Sequence, residues 1–197
     1  MKKIAFYLLI GIFLIGLVNS AESVTFIGVN IPDRLKVDNE TLNLNGYGIR
    51  YFKFLFIKVK VYIGSLYSEI EHIKSASELI SNKGPKLITL HFLHSVKAKQ
   101  IRNTFVKDFK NNFKKILGTK VEKEFLALFK KNVKSGEEIK LVFHRNGDLC
   151  VLYNNSKSGC VKSSYLLQKA VLMVFFGPHP YSKDLKKEML GLKKAQQ

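Results

Sequence analysis

Between Gly48 and Tyr67 the chain reads GIRYFKFLFIKVKVYIGSLY, in which one arginine and three lysines interrupt a run of mainly aromatic and β-branched residues. Such a composition predicts an extended strand. A cation in a low-dielectric interior costs several kcal/mol unless something pairs with it, so Arg50 and its neighbours imply solvent, a counter-ion or an anionic ligand. Read as one strand, residues of equal parity share a face. Arg50, Phe52, Phe54, Phe56, Lys58, Lys60 and Tyr62 then lie on one side, and Tyr51, Lys53, Leu55, Ile57, Val59, Val61 and Ile63 on the other. The aliphatic second side is expected to pack on helices. The first side combines rings, cations and a phenol, which is the chemistry of a cleft for an amphipathic anion or of a plain solvated strand surface. A bulge or turn between Arg50 and Lys58 would break this parity.

Other chemistry has little apparatus. The five histidines, at 72, 91, 94, 144 and 179, are scattered, and His91 and His94 fall on opposite faces of an expected strand. No metal site is expected. There is no nucleophile elbow, phosphate loop or dinucleotide-binding glycine pattern, so no cofactor is expected either. The carboxylates read as helix starts and turns, where capping accounts for them. Acid/base hydrolysis therefore has no visible machinery.

The chain has 197 residues and a formal charge of +18. Lys2 and Lys3 precede an apolar run from Ile4 to Val18, followed by small residues around Ser20 and Ala21. That is the order of an export signal, so residues 1–20 are expected to be a cleaved signal peptide, leaving 21–197 as a single domain in the periplasm or outside the cell. Cleavage takes the charge from +18 to +16. Such a field attracts polyanions; with no nucleic-acid motif the plain reading is a lysine-rich surface, and electrostatic contact with an anionic membrane surface is the other partner class. The only two cysteines, Cys150 and Cys160, flank the turn-forming segment NNSKSG. Their placement about a hairpin turn favours a disulfide in an oxidising compartment, the alternative being two unpaired buried thiols.

Local signals give the elements. Residues 24–36 predict a strand interrupted at Pro32 and Asp33, and Asn45 and Gly46 predict a turn. A short helix is expected after Ser75, which has Glu78 at capping-box spacing, and a strand in PKLITLHFLH. From Ala98 the apolar residues Ile101, Phe105, Phe109, Phe113 and Ile116 recur at helical spacing up to Gly118. Thr119 and Glu122 start a second amphipathic helix reaching Val133. Then come a strand, an Asn146–Gly147 turn, a strand, a helix over 164–176, and a last helix closed by Gly191. This order predicts an α+β fold: an antiparallel sheet covered on one face by helices.

LNGYGIRYFKF, IKVKVYIGSLY, PKLITLHFLHSVKAKQI and NNSKSGCVKSSYLLQKAVLMVFFGPHPYSKDLKKEMLG, in this order and spacing, resemble the chalcone isomerase-like family, in particular its exported bacterial members. The likeness covers nearly all of the chain beyond residue 20. It implies an open-faced β-sandwich, a large antiparallel sheet layered with α-helices. In the plant isomerases of that family a strand arginine stabilises an enolate; in its fatty-acid-binding members the arginine and a tyrosine hold a carboxylate. Arg50 matches the arginine of the G-x-R motif and Tyr62 resembles the carboxylate-binding tyrosine. Lys97 and Thr104 stand where the isomerases carry a tyrosine and an asparagine, and Gln168 completes the candidate ligand-binding set. No tyrosine occurs between Tyr67 and Tyr153. Cyclisation needs a donor network positioned around the reacting carbonyl, and half of it is lacking; a carboxylate needs only a guanidinium, a phenol and apolar walls. The resemblance therefore implies a non-catalytic binder of an amphipathic small carboxylate such as a fatty acid. An intramolecular lyase acting on a chalcone or enone, with Arg50 catalytic, is the first alternative, and a basic cell-envelope protein that binds anionic surfaces is the second.

Overall fold

The computed structural model describes residues 22–196, so the expected signal peptide lies outside the described residues. In chain order the strands are β1 (Ser23–Phe26), β2 (Val29–Pro32), β3 (Arg34–Val37), β4 (Glu40–Phe54), β5 (Ile57–Ser68), β6 (Lys86–Phe92), β7 (Glu138–Phe143), β8 (Leu149–Tyr153) and β9 (Ser156–Val161). The helices are α1 (Ala76–Ser81), α2 (Ala98–Asn112), α3 (Lys120–Ala127), α4 (Tyr165–Phe176) and α5 (Lys183–Met189). Strands β3 to β9 form one seven-stranded antiparallel sheet in which every strand pairs with its successor, and β1 and β2 form a separate ribbon. This is the α+β layout the element order predicts.

Side-chain alternation divides the sheet into two cores. Leu66, Ile88, Leu90, Ile139, Leu141 and Val151 point to the helical layer. Ile49, Ile63, Tyr67, Leu87, Val142 and Cys150 point the other way, where Phe26 and Ile31 of the ribbon help to cover them. Within the helical layer α2 is tied to α3 by rings: Phe105 lies 5.0 Å from Phe125 edge-on and 5.2 Å from Phe129 in a stacked pair. Such pairs add about 0.5–1.5 kcal/mol beyond the area they bury.

The run from Gly48 to Tyr67 is a hairpin and not one strand. Its turn is Leu55–Phe56, and a bulge shifts the register after Arg50, which pairs with Tyr62 while Tyr51 pairs with Lys60. The face assignment therefore reverses for Arg50, Tyr62 and Ile63, and holds for Lys58, Val59 and Lys60 beyond the bulge. Arg50 and Tyr62 share the helix-side face with Leu66, whereas Ile63 belongs to the opposite core. Asn45 and Gly46 likewise form no turn; they sit at a bulge inside the fifteen-residue β4. The reason is α5, which packs so closely that a Cβ at Gly46 would run into the Glu188 carbonyl and one at Gly48 into the Glu188 carboxylate.

Helix ends also differ from the expectation. The α2 helix stops at Asn112, because Phe113 leaves helical geometry; a 3-10 turn (Lys114–Ile116) and Gly118 at φ +76° follow. The Thr119 hydroxyl then accepts from Glu122 N–H while Glu122 Oε2 accepts from Gly118 N–H at 2.6 Å, a reciprocal cap. The α3 helix ends at Ala127, and Val133 instead bridges to Val96. Lys86, in the P-K segment, is buried, and its ammonium donates to Asn82 O, Asn82 Oδ1 and Gly84 O at 2.6, 2.9 and 2.8 Å, tying the residues after α1 to β6. Cys150 and Cys160 face each other across β8 and β9 and are disulfide-bonded.

Candidate ligand-binding site

Two neighbouring strands supply the first two groups. Arg50 and Tyr62 are directly opposed cross-strand partners, which places their side chains side by side on the face toward the helices. The Tyr62 ring leans on Phe92 of β6, 5.6 Å between centroids. Burial raises the Tyr62 phenol above its ordinary range, against the opposing pull of Arg50, so it stays protonated and is a hydrogen-bond donor. The Arg50 guanidinium is capped on one face by Tyr181, its Cζ 3.5 Å from the ring centroid. Its Nε is buried without a hydrogen-bond partner. An arginine held in this way keeps its planar edge for a ligand.

Tyr181 reaches this position through the segment between α4 and α5. Asn112, the last residue of α2, clamps that segment by donating to the His179 carbonyl and accepting from His179 N–H, both at 2.9 Å. Lys186 donates to the Gly177 carbonyl at 2.8 Å. The close seat of α5 on Gly46 and Gly48 fixes the other end. The G-x-R spacing thus has a mechanical meaning: the glycine admits α5, whose leading segment lays an aromatic ring over the arginine two residues on.

The fourth group comes from α2. Asp108 is 3% exposed and its Oδ2 has no hydrogen-bond partner. Burial raises its pKa to about 6, with the charges of Lys107 and Arg50 opposing the shift. It does not sit at a helix start or turn. Its place on the apolar face, in step with Ile101, Thr104 and Phe105, is the sequence signal that could have found it.

Two hollows meet at these side chains. The inner one, about 550 Å³, is walled by Val59, Val61, Leu90, Phe92, Ile101 and Phe105. The outer one, about 1010 Å³, is bordered by Lys53, Lys58, Lys107, His179 and Lys183. Arg50, Phe52, Asp108 and Tyr181 line both and form the partition. An apolar hollow with a few convergent polar groups has the character of a small-molecule site, and its volume falls in the usual range of about 300–1,000 Å³.

Of the candidate residues, the structure gathers Arg50, Tyr62 and Thr104 around the inner hollow. Lys97 is the exposed N-cap position of α2 and lines neither hollow. Gln168 is buried elsewhere: its Nε2 donates to the His144 and Asp148 carbonyls at 2.9 and 2.8 Å, fastening α4 to the β7–β8 turn. Neither position belongs with the ligand-facing group, because one points out from a helix start and the other has its amide already engaged. Among the described residues no cluster of three or more His, Cys, Asp or Glu is placed to hold a metal ion.

A helix-layered antiparallel meander with an arginine at the head of an apolar hollow defines a class of fold, and comparison with known proteins names it. The sequence model of the chalcone isomerase-like family matches residues 23–191, and the chain belongs to that family. Among solved structures it is similar to a fatty-acid binding protein from Arabidopsis thaliana, with a TM-score of 0.67 and 24% identity over 87% of this chain and 97% of that one. At that identity the likeness establishes the fold alone. No curated protein sequence matches the chain.

Proposed function

We propose that this protein is a non-catalytic, exported member of its family that binds an amphipathic carboxylate, such as a fatty acid. The carboxylate sits against Arg50 and Tyr62, with Thr104 beside it, and the tail occupies the inner hollow. The observation that carries this reading is the buried, unpartnered Nε of Arg50 opposite a protonated phenol at the end of an apolar cavity. The Arabidopsis protein, which shares the fold and is described as fatty-acid binding, supports the same assignment. Export rests on the sequence of residues 1–20.

The test is to purify the protein, extract it with organic solvent and identify co-purifying molecules by mass spectrometry, then titrate the emptied protein with a fluorescent fatty acid. Arg50→Ala is expected to weaken binding by about 10- to 100-fold, since hydrogen bonds to a charged group are worth about 1.5–3 kcal/mol. An Arg50→Ala protein that retains the same lipid at the same occupancy would overturn the head-group assignment.

A further inference from the structure

The β4–β5 turn consists of Leu55 and Phe56 alone, between the paired residues Phe54 and Ile57. Leu55 holds a φ of +52°, a conformation that glycine, asparagine and aspartate adopt at far lower cost than leucine. The chain follows that rule at the Asp38–Asn39 and Asn154–Asn155 turns; at the third, Ile27 also takes a positive φ, of +49°, but is followed by Gly28. Only at this tip are both turn residues large and apolar. They also point into water, with Leu55 82% exposed, Phe56 fully exposed and Ile57 65% exposed. Folding favours polar turn residues here, and so does solubility.

The same hairpin carries cations on its other face. Lys53 and Lys58 are directly opposed across the strands, and Lys60 follows on the same side. Like charges in that position repel unless an anion lies between them. Among the described residues none of the three lies within ion-pair distance of a carboxylate. An apolar tip flanked by lysines suits one occupant best. A tip-to-tip contact with a second copy would bring six lysines together, whereas the interface of an anionic bilayer offers acyl carbon to the tip and phosphate to the ammonium groups.

We propose that this hairpin tip is a membrane wedge: Leu55, Phe56 and Ile57 enter the headgroup–acyl boundary of an anionic phospholipid bilayer while Lys53, Lys58 and Lys60 engage its phosphates. Phe52 and Val59 of the same hairpin line the inner hollow, so docking sets the cavity against the lipid. Ligand then passes between membrane and cavity with little exposure to water, a step that rests on the carboxylate-binding reading; the docking itself does not. No helix of the described residues is long and apolar enough to cross a membrane.

The chain contains no tryptophan, so Phe56→Trp provides a single tryptophan that can be excited apart from the tyrosines. It is mixed with vesicles of phosphatidylcholine alone or with added phosphatidylglycerol. Emission is expected to shift to shorter wavelength, and to be quenched by lipids brominated near the headgroup, only on the anionic vesicles, with binding lost as salt rises. The double variant Leu55→Asn, Phe56→Gly installs an ordinary turn; its thermal midpoint should hold or rise while its partitioning falls by about tenfold or more. Unshifted emission on both vesicle types, or a double variant that binds vesicles as well as the parent, overturns the wedge. A shift that grows with protein concentration without lipid identifies a second copy as the occupant and overturns it too. The double variant should still bind soluble fluorescent fatty acid as the parent does, but extract it from vesicles more slowly; loss of soluble binding would make the tip a cavity wall instead. A parent protein that docks on vesicles yet captures no fatty acid would sink the cavity reading and leave the wedge standing.

Discussion

Asp108 puts a negative group beside the arginine that is to hold an anion, and its protonation state decides whether the two sites conflict. Because burial lifts its folded pKa to about 6 from 3.8, the fold binds a proton there more tightly than the unfolded chain does. The associated stability is complete below the unfolded value and is lost as pH rises through about 6. Asp108→Asn should therefore raise the thermal midpoint at about pH 8 and make little difference at about pH 4, as melting curves at the two values will show. Binding should follow the same titration. An alkyl sulfonate, which stays charged throughout, should bind the parent about tenfold more weakly at about pH 8 than at about pH 5, since ionised Asp108 then offsets part of the Arg50 and Lys107 charge. The Asn variant should flatten that profile. Arg50 and Tyr62 are legible in the sequence because a cation and a phenol in a strand stand out chemically. Asp108 is not, because an acid in a lysine-rich helix reads as solvated until the helix face it occupies is known, and Tyr181 is not, because it sits in a loop whose position depends on α5.

At the scale of elements, what is local is legible and what is relayed is not. Ser75 and Thr119 each accept a backbone N–H three residues on, and their helices start where the sequence predicts; Ser182 caps α5 in the same way. The β4–β5 hairpin gives no such signal. Its turn residues are leucine and phenylalanine, so the run reads as one strand, and parity misplaces Arg50, Tyr62 and Ile63 while placing Lys58, Val59 and Lys60 correctly. Gln168 and Lys97 fail as ligand-facing candidates for a related reason: spacing along a helix does not say which neighbouring carbonyls will claim an amide, or that a cap position points outward. The contact of α5 with β4 makes a testable link between packing and site. Gly48→Ala places a methyl against Glu188, and overpacking of this kind costs about 1–3 kcal/mol. Denaturant unfolding should register that loss, and fatty-acid affinity should fall with it although neither Gly48 nor Glu188 lines the inner hollow, because α5 carries Tyr181 with it. Unchanged affinity in a destabilised Gly48→Ala protein would show that the ring over Arg50 is placed independently of α5.

Across the whole molecule, the disulfide and the candidate site lie on different faces of the sheet. The disulfide joins β8 and β9 at Cys150, in the core opposite the helices. A bond closing so short a loop contributes about 2–3 kcal/mol. Replacing both cysteines by serine should lower the melting temperature by roughly 4–12 °C in a domain of this size, with fatty-acid affinity at room temperature unchanged. Calorimetry and a binding titration on the same sample check both halves. The overall architecture is open to sequence reading because the sheet is assembled in chain order, each strand beside its successor, so local hairpins add up to the global fold. The cavity departs from that rule. Arg50 comes from an early strand and Tyr181 from the segment before the last helix, so the lid over the guanidinium is fitted only after everything between them has been laid down. On the proposed reading, a copy clipped ahead of Tyr181 would keep most of the meander's pairings yet lose the ring over the guanidinium, and occupancy would then report whether the polypeptide was finished.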